Sequence, residues 1–242
     1  MTSKIRGTNE GFKKERKLVS DLNGSSYENL NDKHKVIIAK SFENFDRNYK
    51  IKCYSIAGEN KPDFEIKIGN KKNSYSLKTG SGNAIHQESL KTFLEFSRKL
   101  EGSSKDVLKC IKFFIWADGT IDGKGEVKDR MKKIALRKKY PTKLNIIKQF
   151  FFKNKIQIIE RVLFSGRKSN TTDYFIYKKK DDSYIIEKSD NVIKKFEGWE
   201  DGIYGLGPIT FQTWNPALKG QITKPRDVVQ FKWGKIEIDL EK

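Results

Sequence analysis

Cysteine and histidine are scarce in this chain. Its 242 residues include two cysteines, Cys53 and Cys110, and two histidines, His34 and His86. The cysteines lie far apart and form no CxxC, and the histidines are unclustered. A structural zinc site needs about four Cys or His ligands, and a disulfide framework needs more cysteines in an oxidising setting. The counts speak against both, and against a Cys–His nucleophile pair. Any metal is expected to be a hard cation held by oxygen. Long apolar runs are also missing, and the opening MTSKIRGTNEGFKKERK is polar with no signal pattern. The expectation is a soluble, intracellular protein with no membrane partner. No repeat and no Ser- or Pro-rich linker is visible. One α+β domain over 1–242 is the simplest reading, with a core in about 1–120 and further elements in about 121–242.

What is abundant is positive charge. Fifty Lys and Arg stand against 31 Asp and Glu, a formal net charge of +19. A surplus of that size points to a polyanion, most simply nucleic acid, with an anionic membrane surface as the rival. The hydrophobic fraction of 36% is that of a folded chain rather than a disordered one.

Residues 8–23 read as a helix, with Phe12, Leu18, Val19 and Leu22 on one face. Glu15 sits inside that stripe, where a charge is costly unless partnered or at the exposed edge. Residues 32–46 suggest a second helix and IKCYSI a strand. DFEIKI (63–68) and SYSLKT (74–79) alternate cleanly around a polar turn, Gly69 to Lys72. A third helix is expected over about His86–Leu100, and a helix or strand within DVLKCIKFFIW. Residues 126–160 read as basic helix broken near Pro141. TDYFIY and SYIIEK suggest a hairpin. PITFQTW, VVQFKW and KIEIDL read as strands.

Matching the apolar faces of the central hairpin pairs Ile66 with Tyr75 and Phe64 with Leu77. The other face then carries Glu65 opposite Ser76 and Asp63 opposite Lys78. A carboxylate can bind Mg²⁺, which neutralises phosphodiester charge and acidifies water. A lysine on the same face can orient or deprotonate that water. Pro62-Asp63, then Ser76-Leu77-Lys78, is a PD-(D/E)XK pattern with Ser76 at the second acidic position. A solvated β-hairpin is the plain alternative.

The chain resembles small type II restriction endonucleases of the HinP type, which share the PD-(D/E)XK core and are similar to the MspI enzyme. The resemblance runs through GFKKERK at 11–17, Lys61 to Lys78, SLKTGSGNAIHQES at 76–89, IQIIERVLFSGRKSNTTDYFIYKKK at 156–180, and LGPITFQTWNPALKG with VVQFKW at 206–220 and 228–233. Those enzymes already use a neutral residue at the position of Ser76. The resemblance implies a mixed central sheet flanked by helices, with a helical and β DNA-binding extension. It implies Mg²⁺ (with Mn²⁺ as a substitute) held by Asp63 and the Leu77 carbonyl, with Ser76 and Glu15 as further candidates. Lys78 would position the attacking water. Glu65 reads rather as a solvent-facing strand residue.

The implied substrate is double-stranded DNA, cut at a short palindrome of about four base pairs, G/C-rich, leaving 5′-phosphates. The implied setting is a prokaryotic cytoplasm with a cognate DNA methyltransferase, the enzyme acting as a monomer or homodimer. The basic stretch 128–155, including Lys138 and Lys139, suits phosphate contact. Base-reading candidates are Asn83 and Gln87 after the catalytic strand, and Thr210, Gln212, Asn215, Lys219 and Gln221 near the C-terminus. Two alternatives stand beside a restriction enzyme: a DNA-binding protein with a degenerate nuclease fold, and a structure-specific repair nuclease.

Overall fold

The computed structural model describes residues 6–56, 61–79, 84–166, 171–213 and 228–241. The elements in chain order begin with α1 (Arg6–Leu22), α2 (Asp32–Ser41), β1 (Lys52–Ser55), β2 (Phe64–Ile68) and β3 (Lys71–Thr79). Next come β4 (Ala84–Ser89), α3 (Leu90–Ser97), α4 (Lys105–Trp116), α5 (Lys133–Lys139), α6 (Pro141–Lys153) and α7 (Lys155–Glu160). The last are β5 (Tyr174–Lys178), β6 (Tyr184–Lys188), α8 (Ser189–Gly198), β7 (Ile209–Phe211), β8 (Val228–Trp233) and α9 (Ile236–Glu241). The chain is mixed α+β. It divides into two compact units, one of residues 1–83, 159–195 and 235–242, the other of 84–158 and 196–234. Each unit gathers segments from both sides of residue 120.

The first unit is built on a five-stranded mixed sheet in the order β1-β2-β3-β5-β6. Only β3 and β5 run parallel; the other pairs are antiparallel. One face buries Leu18, Leu22, Ile37, Ile38, Phe64, Ile66, Tyr75 and Ile176 beneath α1 and α2. Helix α2 starts cleanly because Asn31 Oδ1 accepts the His34 N–H at 2.9 Å, satisfying one orphan amide of the first turn. Helix α1 buries Leu18 and Leu22, but Phe12 is 54% exposed and does not share their face.

The hairpin register differs from expectation. Phe64 pairs with Tyr75, Ile66 with Asn73 and Ile68 with Lys71. The turn is Gly69-Asn70 alone, not four residues, so β3 slides by two. A ladder of rings favours this register: Phe64 stacks on Tyr75 at 5.0 Å, and Tyr75 on Tyr174 of β5 at 5.6 Å. Such pairs are worth about 0.5–1.5 kcal/mol each beyond their buried area. A slip of two preserves the faces, so Asp63, Ser76 and Lys78 still share the polar side.

The second unit carries an antiparallel three-stranded sheet, β4-β8-β7, packed on α3, α4 and α6 around Phe93, Phe114, Phe151, Phe211 and Phe231. Two assignments change. His86 to Ser89 is strand β4, and α3 begins only at Leu90, where the Ser89 hydroxyl accepts the Thr92 N–H at 3.1 Å. KIEIDL is not a strand: Ile236–Glu241 forms α9, with Glu237 and Asp239 in its first turn where the helix dipole favours acids. The second helix ends at Ser41 rather than residue 46. Among the described residues no helix is long and apolar enough to cross a membrane.

Candidate functional site

The hairpin's open end gathers the charged groups. Asp63 lies just before β2 and is tethered three ways. Its N–H donates to the Tyr75 carbonyl at 2.8 Å, its carbonyl accepts the Ile56 N–H at 3.0 Å, and its Oδ2 accepts the Leu77 N–H at 2.6 Å. The carboxylate thus takes a β3 amide that a longer β2 would otherwise have paired. Lys78 is one diagonal step away and closes the gap with its long side chain. Its Nζ is 3.6 Å from Asp63 Oδ2 and 3.2 Å from the Leu77 carbonyl. Both side chains are largely shielded, Lys78 at 16% and Asp63 at 22% exposure, which strengthens their attraction over that of a surface pair.

Glu15 reaches the same cluster because α1 packs on β1 and β3. Burial raises its carboxyl above the ordinary range, and the charge of Asp63 raises it further. The Ser55 hydroxyl, Lys78 and Arg16 pull it back. An acid on the apolar stripe of a helix is therefore explained: it is half-buried and feels a second carboxylate and a lysine.

Two residues of this neighbourhood were not expected. Ser55 ends β1 beside Glu15. Lys61 is buried at 8% exposure and donates through Nζ to the Val162 carbonyl in the π-helical segment Arg161–Ser165. Burial drives its amine well below the ordinary lysine range, Lys78 adds to this, and Asp63 opposes it. Its place before Pro62-Asp63 is visible in sequence, but a buried lysine has no periodic signature.

Ser76 is fully buried, and among the described residues its Oγ has no hydrogen-bond partner. It adjoins Leu77, whose N–H holds Asp63 Oδ2. Among the described residues no group of three or more Cys, His, Asp or Glu forms. A divalent cation here would rely on Asp63 and Glu15, the Leu77 carbonyl and the Ser76 hydroxyl. That all-oxygen set suits Mg²⁺. Two facing carboxylates and an orphaned hydroxyl are what such an ion would satisfy. Glu65 stands apart: it accepts from the Tyr54 hydroxyl at 2.8 Å and pairs with Lys72 at 3.0 Å.

In the second unit, Gln87 is exposed on β4 and is the Cα partner of Gln230 on β8. The Gln230 carbonyl accepts the Gln212 N–H at 3.0 Å, so three glutamines stand abreast. Gln212 Nε2 donates to the Thr210 hydroxyl at 2.7 Å. Gln230 is a further polar residue at this place that the sequence reading does not single out; it is buried at 5% exposure, between the buried Val229 and Phe231. Lys138 and Lys139 are exposed in the last turn of α5, with Lys139 Nζ 5.5 Å from the Tyr140 ring centre. Asn83, Asn215, Lys219 and Gln221 lie outside the described residues. No family model and no curated protein matches this chain.

Proposed function

We propose that the protein is a Mg²⁺-dependent endonuclease of double-stranded DNA, of the PD-(D/E)XK kind and acting as a type II restriction enzyme. The observation that carries this reading is the convergence of Glu15, Asp63 and Lys78 at one end of the β2–β3 hairpin. A net charge of +19 suits the substrate.

A bound Mg²⁺ would neutralise charge on the phosphodiester and acidify water. The chain does the rest. Leu77 N–H holds Oδ2 of Asp63, and among the described residues no donor takes Oδ1, which is left to ligate. Lys78, fixed between Asp63 Oδ2 and the Leu77 carbonyl, would orient the attacking water. Glu15 contributes its carboxylate once deprotonated. Hydrolysis leaves a 5′-phosphate and a free 3′-hydroxyl. Gln87, Gln212, Thr210 and the basic α5 are the candidates for reading and holding DNA, at a short palindrome. A prokaryotic cytoplasm with a protecting methyltransferase is the setting this activity requires.

The test is incubation of the purified protein with unmethylated plasmid and Mg²⁺. Discrete fragments are expected from the native chain. Asp63→Asn, which keeps an acceptor for Leu77 N–H, should cut slower by about 10²–10⁴-fold, the equivalent of several kcal/mol of charge stabilisation. Undiminished cutting by Asp63→Asn would remove Asp63 from the chemistry. The neutral Ser76 motivates a second reading, a DNA-binding protein without catalysis. Duplex binding with no fragments would decide for it, and cutting confined to flaps or nicks would decide for a repair nuclease.

A further inference from the structure

The polar face of β1–β2–β3 carries more than the Asp63 cluster. Four residues along from Asp63, Lys67 is the Cα partner of Lys52 on β1 and of Lys72 on β3. Three lysines therefore stand abreast on neighbouring strands about 4.8 Å apart. Like charges directly opposite one another destabilise a strand pair. Lys72 is neutralised by Glu65 at 3.0 Å. Lys52 and Lys67 are exposed, and among the described residues neither has an ion-pair partner. A cleft of about 440 Å³ opens at this place, lined by Asn48, Tyr49, Lys50, Lys52, Lys67 and Gly69. Tyr49 is 55% exposed, its ring 3.3 Å from where a Cβ on Gly69 would stand. A further lysine, an aromatic ring and an amide thus surround the row.

We infer that Lys50, Lys52 and Lys67 form a phosphate-contact site for the DNA backbone, on the strand face that also presents Asp63 and about 13 Å along it. The inference rests on the nuclease reading for its ligand. Its own ground is the unneutralised lysine pair: a fold that sets two cations opposite each other gains when a polyanion lies across them. A row that spans two strands and continues to Lys50 suits a continuous backbone better than a single small anion. Phosphate contacts of this kind hold and orient the duplex without reading sequence.

The test uses the whole protein, a 20-base-pair duplex and buffer without divalent ions, with affinity measured by fluorescence anisotropy across a salt series. Each phosphate contact contributes about 0.9 to the slope of log affinity against log salt. The double variant Lys52→Gln/Lys67→Gln should lower the slope by about 2 and weaken binding by about tenfold or more near 0.1 M salt. Lys40→Gln/Lys99→Gln, exposed lysines elsewhere, removes the same net charge and should leave the slope close to native. The Lys52/Lys67 variant should also melt no lower than the native protein, because it removes a repulsion. An unchanged slope, an equal loss in the Lys40/Lys99 control, a lower melting temperature, or no duplex binding by the native chain would overturn the inference. Native protein that binds with the full slope yet never cuts ends the nuclease reading and leaves the lysine row standing. A Lys52/Lys67 variant that binds and cuts like native ends the lysine row alone.

Discussion

The two ends of one hairpin treat charge in opposite ways. At the Asp63 end, each charged group is shielded and partnered. Asp63 holds a β3 amide, Lys78 bridges Asp63 and a carbonyl, and buried Lys61 has a carbonyl of its own. At the Lys67 end, lysines stand side by side in water, and among the described residues only Lys72 of the row is neutralised. The difference is dielectric. A shielded charge without a partner is costly, so the first end is arranged around pairing. Water and salt screen the repulsion between exposed lysines to a small cost, so the second end can keep its charge for a ligand. On the proposed reading, the first end would serve chemistry and the second would hold the substrate.

Three changes separate the ends further. The largest effect should come from Lys78→Gln. It keeps a hydrogen-bond donor but shortens the side chain and removes its charge, and single-turnover cleavage should slow by about 10²–10⁴-fold with duplex affinity nearly unchanged. A parallel loss of affinity would mean that Lys78 holds DNA instead. Next is Gly69→Ala at the opposite end. Gly69 has φ +59°, and a methyl there meets the Tyr49 ring at 3.3 Å. The variant should lose about 1–2 kcal/mol in urea denaturation while the activity per folded molecule persists. Unchanged stability would show that the turn is not strained.

The subtlest change is in the pH dependence of Glu15→Gln. In the native fold Glu15 binds its proton more tightly than in the unfolded chain, through burial and Asp63. Between the ordinary carboxylate range and that raised value the folded state carries more protons than the unfolded one. Native stability therefore falls as pH rises through this window, while Mg²⁺-dependent cutting rises as the carboxylate forms. Glu15→Gln removes the contribution. Melting temperatures taken across pH without divalent ions should show a flatter profile for the variant, and identical profiles would place Glu15 outside the cluster.

The alternation of DFEIKI and SYSLKT was enough to set Asp63, Ser76 and Lys78 on one face, because side chains alternate with a period of two and a slip of two residues leaves that unchanged. Their exact partners were not legible. The expected pairing of Asp63 with Lys78 assumed a four-residue turn, and the Phe64–Tyr75–Tyr174 ladder instead favours a two-residue one. In sequence His86–Ser89 fits the start of a helix, because short segments are ambiguous; its pairing with β8 makes it strand. The acid in KIEIDL fits a strand edge and a helix start equally well in isolation, and α9 takes the second.

By itself the sequence determined the mixed α+β class, the excess of positive charge and the polar face of the hairpin, all of which follow from composition and from periodicity within a few residues. Only the tertiary structure decided that α1 brings Glu15 to Asp63, that Lys61 is buried against the Val162 carbonyl, that Gln230 stands with Gln87, and that Lys52 meets Lys67. Each of these joins residues far apart in the chain through strand register or helix packing. Register and packing are set by long-range contacts between side chains, and no local pattern encodes them.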